Sequence, residues 1–313
     1  MMNKALILLL LLSASCYRVP DEIEPRVSFQ LQDQHFQRLA GAFTPLSPEE
    51  RSSDWGKEYI IARAFASELD LYRAVSTFKR AQILNFDNPT RKLEIQYDIL
   101  LCYFLGKRYT DVVESFEKSN LAHVDKTFPA YHDLLLVLFE SYRELKDTEK
   151  QAKIVELIEK SFPDTSEELR VSLAIREGDL PTIDFFASGF QSPSYLDNLV
   201  DCYSGQKKSV ATAQCLNALI PGAGYLYIGQ RKSALTAFLL NGLFIAAATQ
   251  FFLHNHIAAG IITTGFEAGW YFGGIYGAGE EAKYYNERAY EKAASVVLNE
   301  YKLFPALMLN YAF

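Results

Sequence analysis

Few side chains in this sequence could do chemistry, and Glu267 is the most informative of them. It is the only charged residue in the apolar stretch 257–278. A carboxylate inside a membrane is costly unless it is protonated or paired, and it usually faces the protein interior. Glu267 could therefore handle a proton or a ligand, or it could be a hydrogen-bonded packing element. The packing role is favoured, because no base and no second titratable group lies at the same depth.

The histidines do not form a recognisable metal or catalytic site. His254 and His256 are separated by one residue on a short turn, which provides neither a nucleophile nor a complete metal site. The other histidines have no ligand spacing and are interpreted as surface or core residues: His35, His123 and His132. The sequence therefore predicts no catalytic residue, no metal, no cofactor and no enzyme activity.

Glycine at every fourth position marks one face of the same apolar stretch. The four residues are Gly265, Gly269, Gly273 and Gly277. A helix with no side chains along one stripe lets another backbone approach closely, which is how helices associate in lipid. The stripe predicts a packed membrane helix, and it would also allow the chain to form a homo-oligomer through this face.

Two apolar stretches predict a helical hairpin in a membrane. Residues 233–252 carry no charge and residues 257–278 carry only Glu267, so each is long enough to cross the roughly 30 Å hydrocarbon core of a bilayer. The short polar break 253–256 lies between them and suits a tight turn. Counted outward from this break, Asn241 and Glu267 lie at nearly equal depth, and we predict that they are neighbours.

A helix break precedes the hairpin. Pro221 and Gly222 interrupt a helix, and Gly224 follows two residues later. The pattern Pro-Gly-x-Gly, followed by Tyr and Gly and then by two apolar spans with a short polar loop, resembles the small two-span membrane modules found widely in bacterial proteins of unknown role. The resemblance covers residues 218–278 and implies an architecture but no activity. A dinucleotide-binding loop is excluded, because Tyr227 occupies the place of its third glycine and no strand precedes it.

Residues 1–15 have the composition of an export signal. Lys4 precedes the apolar run 5–12, which is too short to span a bilayer. The small residues directly before Cys16 resemble the bacterial lipobox, and the resemblance implies cleavage before Cys16 and a lipid on its thiol. Ser13 stands where that motif usually has leucine, so cleavage by an ordinary signal peptidase is the alternative.

The distribution of charge divides the rest of the chain. Charges are dense in the first two thirds, whereas residues 209–266 contain only Arg231 and Lys232. This pattern predicts a soluble domain, residues 54–204, and a membrane module, residues 209–283. The formal net charge of −7, with no cluster of Lys and Arg beyond dipeptides, argues against a nucleic-acid partner.

The segments on either side of these regions have their own patterns. Residues 16–53 contain four prolines, which prevent a long helix and predict an extended tether. Residues 284–313 are predicted to form an amphipathic helix and then an apolar tail. The alternating apolar residues 307–313 resemble the last strand of an outer-membrane barrel, but one strand cannot close a barrel. We expect this tail to pack on the hairpin or on the membrane.

The soluble domain contains a repeated helical pattern. A small residue and an aromatic residue, Ala62 and Phe65, are followed by a second set at Ala74, Phe78 and Ala81. Related sets return at successive spacings of 38 and 39 residues. The pattern resembles the tetratricopeptide repeat in three and a half degenerate copies, and the resemblance implies an α-solenoid that binds peptides or partner proteins on its concave face. A generic α-helical repeat is the alternative.

The predicted fold is therefore all-α: a degenerate tetratricopeptide-like helical solenoid followed by a transmembrane or membrane-embedded helical hairpin. Basic residues flanking the hairpin would place the solenoid in the cytoplasm, whereas the export signal, which we favour, would place it in the bacterial cell envelope. The predicted function is that of a membrane-anchored scaffold for protein partners. The alternatives are an oligomeric transport or channel component that uses the glycine face and Glu267, and a membrane enzyme acting on lipid or cell wall.

Overall fold

The computed structural model describes residues 18–28, 33–85, 87–188 and 194–313. Within these residues every regular element is a helix, and the one β-interaction is an isolated bridge between Gly41 and Ala312. The predicted all-α class is thus confirmed. Cys16 and the predicted export signal lie outside the described residues.

The chain forms two compact units, each built from two chain segments. We call the unit formed by the described residues within 28–174 and 295–313 the groove unit, and the unit formed by the described residues within 18–27 and 175–294 the hairpin unit. The predicted domains divide the chain at other positions. The difference arises because the last residues of the chain pack with the groove unit, a long-range contact that no local sequence pattern indicates.

The groove unit is a succession of short helices joined by tight turns. Its helices are α1 (Asp33–Gln37), α2 (Pro48–Ser52), α3 (Asp54–Ser67), α4 (Leu71–Leu84), α5 (Pro89–Leu105), α6 (Tyr109–Glu117), α7 (Tyr131–Glu144), α8 (Thr148–Ser161) and most of α9 (Pro163–Glu177). A short 3₁₀ helix, Asn120–His123, lies between α6 and α7. From α3 to α8, consecutive helices pack against each other, as short connections between antiparallel helices require.

The same turn closes three helices of the groove unit. Leu69, Lys107 and Lys146 have φ between +55° and +58°, and the N–H that follows each of them donates to the carbonyl five residues earlier at 2.8–2.9 Å. This is the Schellman ending of an α-helix. Asp70 and Asp147 then accept the N–H three residues ahead and so cap the next helix. The turns recur at spacings of 38 and 39 residues.

Glycine does not set the geometry of every such turn. Gly106 and Gly178 are the residues that the sequence suggests as turn positions. Gly178 has φ +68°, as expected of a residue that adopts the left-handed region freely. Gly106 instead has φ −77°, and its neighbour Lys107 takes the left-handed conformation. The hydrogen bonds that close the helix therefore outweigh the preference of the individual residue.

The hairpin unit contains the end of α9 and a further series of helices. These are α10 (Leu180–Ala187), α11 (Ser194–Gln206), α12 (Val210–Leu219), α13 (Ala223–Ile228), α14 (Arg231–Leu253) and most of α15 (Ile257–Glu300). α15 is 44 residues long. The second arm of the predicted hairpin and the predicted amphipathic helix are thus parts of one continuous helix, because residues 280–300 contain neither proline nor glycine to interrupt it.

Among the described residues, α14 is the one helix long and apolar enough to cross a membrane, by length and composition. Its 23 residues include the first predicted span. The second predicted span lies in the first half of α15, where Glu267 and several glycines lower the apolar content. The structure therefore supports one candidate span where the sequence predicts two.

The core of the groove unit is centred on α5 and α7. Every residue of α5 from Glu94 to Leu105 is buried, and so is every residue of α7 from Asp133 to Tyr142. A helix that is buried on all sides needs cover on the face that its neighbouring helices leave open. The segments that provide this cover form the candidate functional site.

Candidate functional site

Two segments of the same chain pack against α5 and α7. One, residues 36–46, includes Phe36 and Phe43, and the other, residues 303–313, includes Leu309. Their side chains belong to the same hydrophobic cluster as those of α5 and α7. We call the second stretch the C-terminal segment, and the space between α5, α7 and the first stretch the inner groove.

Asp133 holds the C-terminal segment by its main chain. The carboxylate is fully buried, and it accepts the N–H groups of Asn310, at 3.0 and 3.1 Å, and of Tyr311, at 2.8 Å. Hydrogen bonds to a charged group contribute about 1.5–3 kcal/mol each. Bonds to main-chain atoms do not depend on the side chains of the bound segment. Asp133 therefore binds two consecutive main-chain N–H groups of the C-terminal segment.

His132 orients this carboxylate. Its Nδ1 lies 2.8 Å from Asp133 Oδ1, and its Nε2 lies 3.1 Å from Thr165 Oγ1. Thr165, His132 and Asp133 supply a hydroxyl, an imidazole and a carboxylate in the order of a hydrolytic triad. In addition, Asn310 Nδ2 lies 3.0 Å from His132 Nδ1. Because the ring and the carboxylate both contact residue 310, we interpret them as a support for the bound segment. The sequence interpretation of His132 missed this role, since Thr165 is distant along the chain.

The end of the C-terminal segment pairs with residues 36–46. The Ala312 N–H donates to the Ala40 carbonyl at 3.0 Å, which forms the isolated bridge. Phe313 stacks on Phe78, with ring centroids 6.4 Å apart. The segment is thus held by the main-chain N–H groups of three successive residues and by one aromatic contact.

Arg91 fixes the wall of the inner groove that pairs with this segment. Its guanidinium donates to both carboxylate oxygens of Glu50 at 2.9 Å, and to the carbonyls of Thr44 and Pro45 at 2.8 and 3.2 Å. Paired contacts between arginine and a carboxylate are strong and geometrically specific. Arg91 lies on α5, so the wall is anchored to the core helix of the unit.

A buried acid completes the polar network beside Arg91. Arg91 donates to Glu94 at 2.6 Å, Glu94 accepts the hydroxyl of Tyr59, and the Tyr59 oxygen lies 3.1 Å from Asp98 Oδ2. Tyr59 has one proton, and Glu94 accepts it, so a protonated Asp98 can donate to the Tyr59 oxygen. Burial, followed by the charge of Glu94, raises the pKa of Asp98 to about 8. The network therefore keeps Asp98 neutral at pH 7.

In the hairpin unit, the predicted break lies where the chain passes from α12 to α13. Pro221 and Gly222 form the turn, and Gly222 has φ +93°. A side chain at Gly222 would begin 2.3 Å from the Ala234 carbonyl oxygen, and one at Gly224 would begin 2.3 Å from the Ala213 carbonyl oxygen. Glycine is required at both positions because another backbone approaches them directly.

Asn241 and Glu267 are both buried in the hairpin unit, with exposed fractions of 3% and 9%. Ala234, Asn241 and Ala248 are the buried residues of α14 and are seven residues apart. Gly260 and Glu267 are buried on α15 at the same spacing. A seven-residue spacing is typical of helices that pack side by side. Their direct contact stays a prediction.

Each of these two side chains has a polar atom without a partner. Asn241 Nδ2 donates to the Ala237 carbonyl at 2.7 Å. Among the described residues, Asn241 Oδ1 and Glu267 Oε2 are buried and have no hydrogen-bond partner. An unsatisfied buried polar atom costs about 1–3 kcal/mol. Both oxygens can therefore accept a donor that the described chain does not supply.

The glycines of the predicted stripe have two kinds of surroundings. A side chain at Gly277 would begin 2.5 Å from Tyr225 Oη, so this residue packs inside the hairpin unit. Gly265, Gly269 and Gly273 are exposed, and apart from their own helix no described atom lies within 4 Å of a side chain built on them. Within the described chain, the stripe is therefore covered only at its Gly277 end.

The prediction that the C-terminal tail packs on the hairpin or on the membrane is wrong. Ala306, Leu309 and Ala312 pack in the core of the groove unit, and the N–H groups of Asn310 and Tyr311 bind Asp133. The alternation of apolar residues 307–313 could have indicated an extended segment. It could not indicate the surface that the segment covers, because that surface is formed by residues far away in the sequence.

Among the described residues, no group of three or more His, Cys, Asp or Glu side chains could hold a metal ion. The cysteines of this part of the chain are free: Cys102 is buried, and Cys202 and Cys215 are exposed. No protein-family model, curated protein or solved structure matches this chain.

Proposed function

We propose that this chain is a membrane-anchored helical-repeat protein that binds segments of partner proteins in its inner groove and performs no catalysis. One observation carries the proposal: Asp133 accepts two consecutive main-chain N–H groups of the C-terminal segment. Recognition of the main chain gives affinity without demanding one particular sequence. Such a groove suits a scaffold that holds several partners.

The resemblance to the tetratricopeptide repeat supports a solenoid architecture. The Schellman turns at Leu69, Lys107 and Lys146 recur at spacings of 38 and 39 residues, somewhat longer than the roughly 34 residues of that family. In solenoids of this kind, stacked helix pairs create a concave surface that binds partners. α5 and α7 are the first helices of their pairs, and they line the inner groove.

Membrane attachment is supported by α14, which is long and apolar enough to cross a bilayer. A lipid on Cys16 would add a second anchor, although one acyl chain by itself binds only marginally and a spanning helix holds far more strongly. The export signal at residues 1–15 would place the inner groove in the bacterial cell envelope.

The channel alternative receives less support from the geometry of α15. Glu267 is two residues from Gly265 and from Gly269, which corresponds to a rotation of about 200° around an α-helix. The acid and the glycine stripe therefore lie on opposite sides of the helix. If several chains associated through their glycine stripes, Glu267 would point away from that contact. It would therefore not line a pathway formed there.

A partner must compete with the C-terminal segment, because that segment occupies the inner groove. A tethered segment has an effective concentration in the millimolar range. A partner segment therefore binds well only when the chain's own segment is released. The contacts of the present occupant define what the partner needs. It must present two consecutive free N–H groups to one carboxylate and carry apolar side chains such as those of Leu309 and Phe313.

The test uses the full chain in mild detergent with the double substitution Tyr311→Pro and Ala312→Pro. Each proline removes an N–H that the groove accepts, while the groove itself is unchanged. The probe is a fluorescein-labelled peptide with the sequence of residues 303–313. Fluorescence anisotropy should show saturable binding to this variant, at least about tenfold tighter than to the unmodified chain.

Two controls separate the groove from non-specific binding. A peptide carrying the same two prolines should not bind, and adding Asp133→Ala to the double variant should abolish binding. Asp111→Ala, at the surface of α6, is the matched substitution and should leave binding unchanged. Equal binding of both peptides, or binding that survives the loss of Asp133, contradicts the proposal.

A further inference from the structure

The hairpin unit has a cavity of about 640 Å³ beside α14 and α15. Asn241 and Lys232 line it from α14, and Gly269, Trp270 and Gly273 line it from α15. Its volume is in the range of about 300–1,000 Å³ that is typical of binding sites. Two of the exposed stripe glycines therefore form one wall of a space that could receive side chains from another molecule.

The glycine wall is open where a membrane helix would normally be covered. A side chain built on Gly269 or on Gly273 would meet no described atom outside its own helix within 4 Å. In lipid, stripes of small residues are used where two helices approach closely. Glycine is also costly in a helix, by roughly 1 kcal/mol relative to alanine. Three exposed glycines, spaced four residues apart on one face of α15, thus indicate a contact that the isolated chain does not make.

Asn241 gives an independent reason to expect an occupant. Its side chain is 97% buried and lines the same cavity, yet its Oδ1 has no hydrogen-bond partner among the described residues. Acyl chains have no donor to offer, whereas a second polypeptide carries N–H and O–H groups. In membrane helices, hydrogen bonds that cross the interface contribute about 0.6–2 kcal/mol each. The unpaired oxygen therefore favours a protein as the occupant.

The charges at the edge of the cavity favour a second copy of this chain. Lys232 and Glu281 both line it, and they carry opposite charges. An interface with two-fold symmetry must be self-complementary, and one positive and one negative residue on the same surface satisfy that requirement. An anionic lipid headgroup would be attracted by Lys232 but repelled by Glu281.

We propose that two copies of this protein associate through the glycine stripe of α15, with the side chains of each copy entering the cavity beside Asn241 of the other. The association is separate from peptide binding in the inner groove. The resulting dimer would carry two inner grooves, one from each copy, on one membrane-bound assembly.

The experiment counts copies of the fluorescently labelled full chain in phosphatidylethanolamine and phosphatidylglycerol vesicles, by steps of single-molecule photobleaching. The unmodified chain should give two steps. Gly269→Leu and Gly273→Leu should each weaken association at least about tenfold, so that single steps dominate at the same density. Neither substitution should alter the fold of one copy, because both glycines face open space.

Gly242→Leu is the matched control. Gly242 lies on α14, faces open space in the same way and does not line the cavity, so this variant should give two steps. Circular dichroism of all variants should show unchanged helix content. Single steps for the unmodified chain, or two steps for Gly269→Leu, overturn the proposal. If Gly269→Leu keeps two steps and also removes a phospholipid that co-purifies with the unmodified chain, the cavity holds lipid and not a second copy.

Discussion

The groove unit and the hairpin unit cover their apolar helices in opposite ways. In the groove unit, α5 and α7 are buried over ten or more consecutive residues, with two segments of the same chain packed against them. In the hairpin unit, α14 has only three buried residues among its 23. The described chain therefore covers the apolar helices of one unit and leaves most of α14 exposed in the other.

The units also differ in how they satisfy buried polar groups. In the groove unit, Arg91 and Asp133 each make several hydrogen bonds. Arg91 donates to Glu50 and to the Thr44 carbonyl, and Asp133 accepts main-chain N–H groups of the C-terminal segment. In the hairpin unit, Asn241 and Glu267 each keep one oxygen without a partner among the described residues. The contrast applies to these four side chains only, because Tyr97 Oη and Ser172 Oγ in the groove unit are also buried without a hydrogen-bond partner among the described residues.

One substitution made in both units tests this comparison with the largest expected effect. Phe139 on α7 is fully buried, and Phe139→Ala should lower the free energy of unfolding by about 3–5 kcal/mol. Phe238 on α14 is 56% exposed, and Phe238→Ala should change it by less than about 0.5 kcal/mol. Urea titration of the full chain in mild detergent, followed by circular dichroism, measures both. A loss at Phe238 as large as that at Phe139 would mean that protein already covers α14.

A second large effect is expected from the neutral acid of the groove unit. The pKa of Asp98 is about 8 in the folded chain, compared with an ordinary pKa of 3.8 in the unfolded chain. Between these values the unfolded state binds fewer protons, so this residue makes the free energy of unfolding fall as the pH rises. Asp98→Asn removes the fall and should stabilise the groove unit by up to about 5 kcal/mol at pH 8, since each unit of pKa difference corresponds to about 1.4 kcal/mol, with little change at pH 4.

Urea titrations at pH 4, 6 and 8 measure this effect. Asp54→Asn, at an exposed position at the start of α3, is the control and should leave the pH dependence unchanged. An unchanged slope for Asp98→Asn would show that Asp98 is ionised at neutral pH. The buried network would then carry an uncompensated charge, and the contrast with the hairpin unit would weaken.

The smallest effect is expected at the left-handed turns of the groove unit. Lys146 has φ +58°, a conformation that is strained for any residue with a side chain. Lys146→Gly should therefore raise the free energy of unfolding by about 0.5–1 kcal/mol. Lys153→Gly, in the middle of α8, should lower it by about 1 kcal/mol. Opposite signs for the two substitutions would confirm the turn geometry, and equal losses would contradict it.

The sequence by itself determined much of the local structure. Apolar spacing and the distribution of charge predicted an all-α chain, and the apolar stretch around residues 233–252 predicted α14. Pro221 and Gly222 predicted the break before the hairpin, because neither residue continues a helix easily. The burial of Asn241 and Glu267 also followed from sequence, since a polar group within an apolar stretch has to face the protein.

Only the tertiary structure decided which surfaces meet. It brought residues 303–313 to Asp133, joined His132 to Thr165, and left Gly269 and Gly273 open while covering Gly277. Periodicity reports which face of a helix or segment is apolar, because it depends on neighbouring residues. It does not report what covers that face, because the cover comes from residues far away in the chain and depends on the shape of the whole unit.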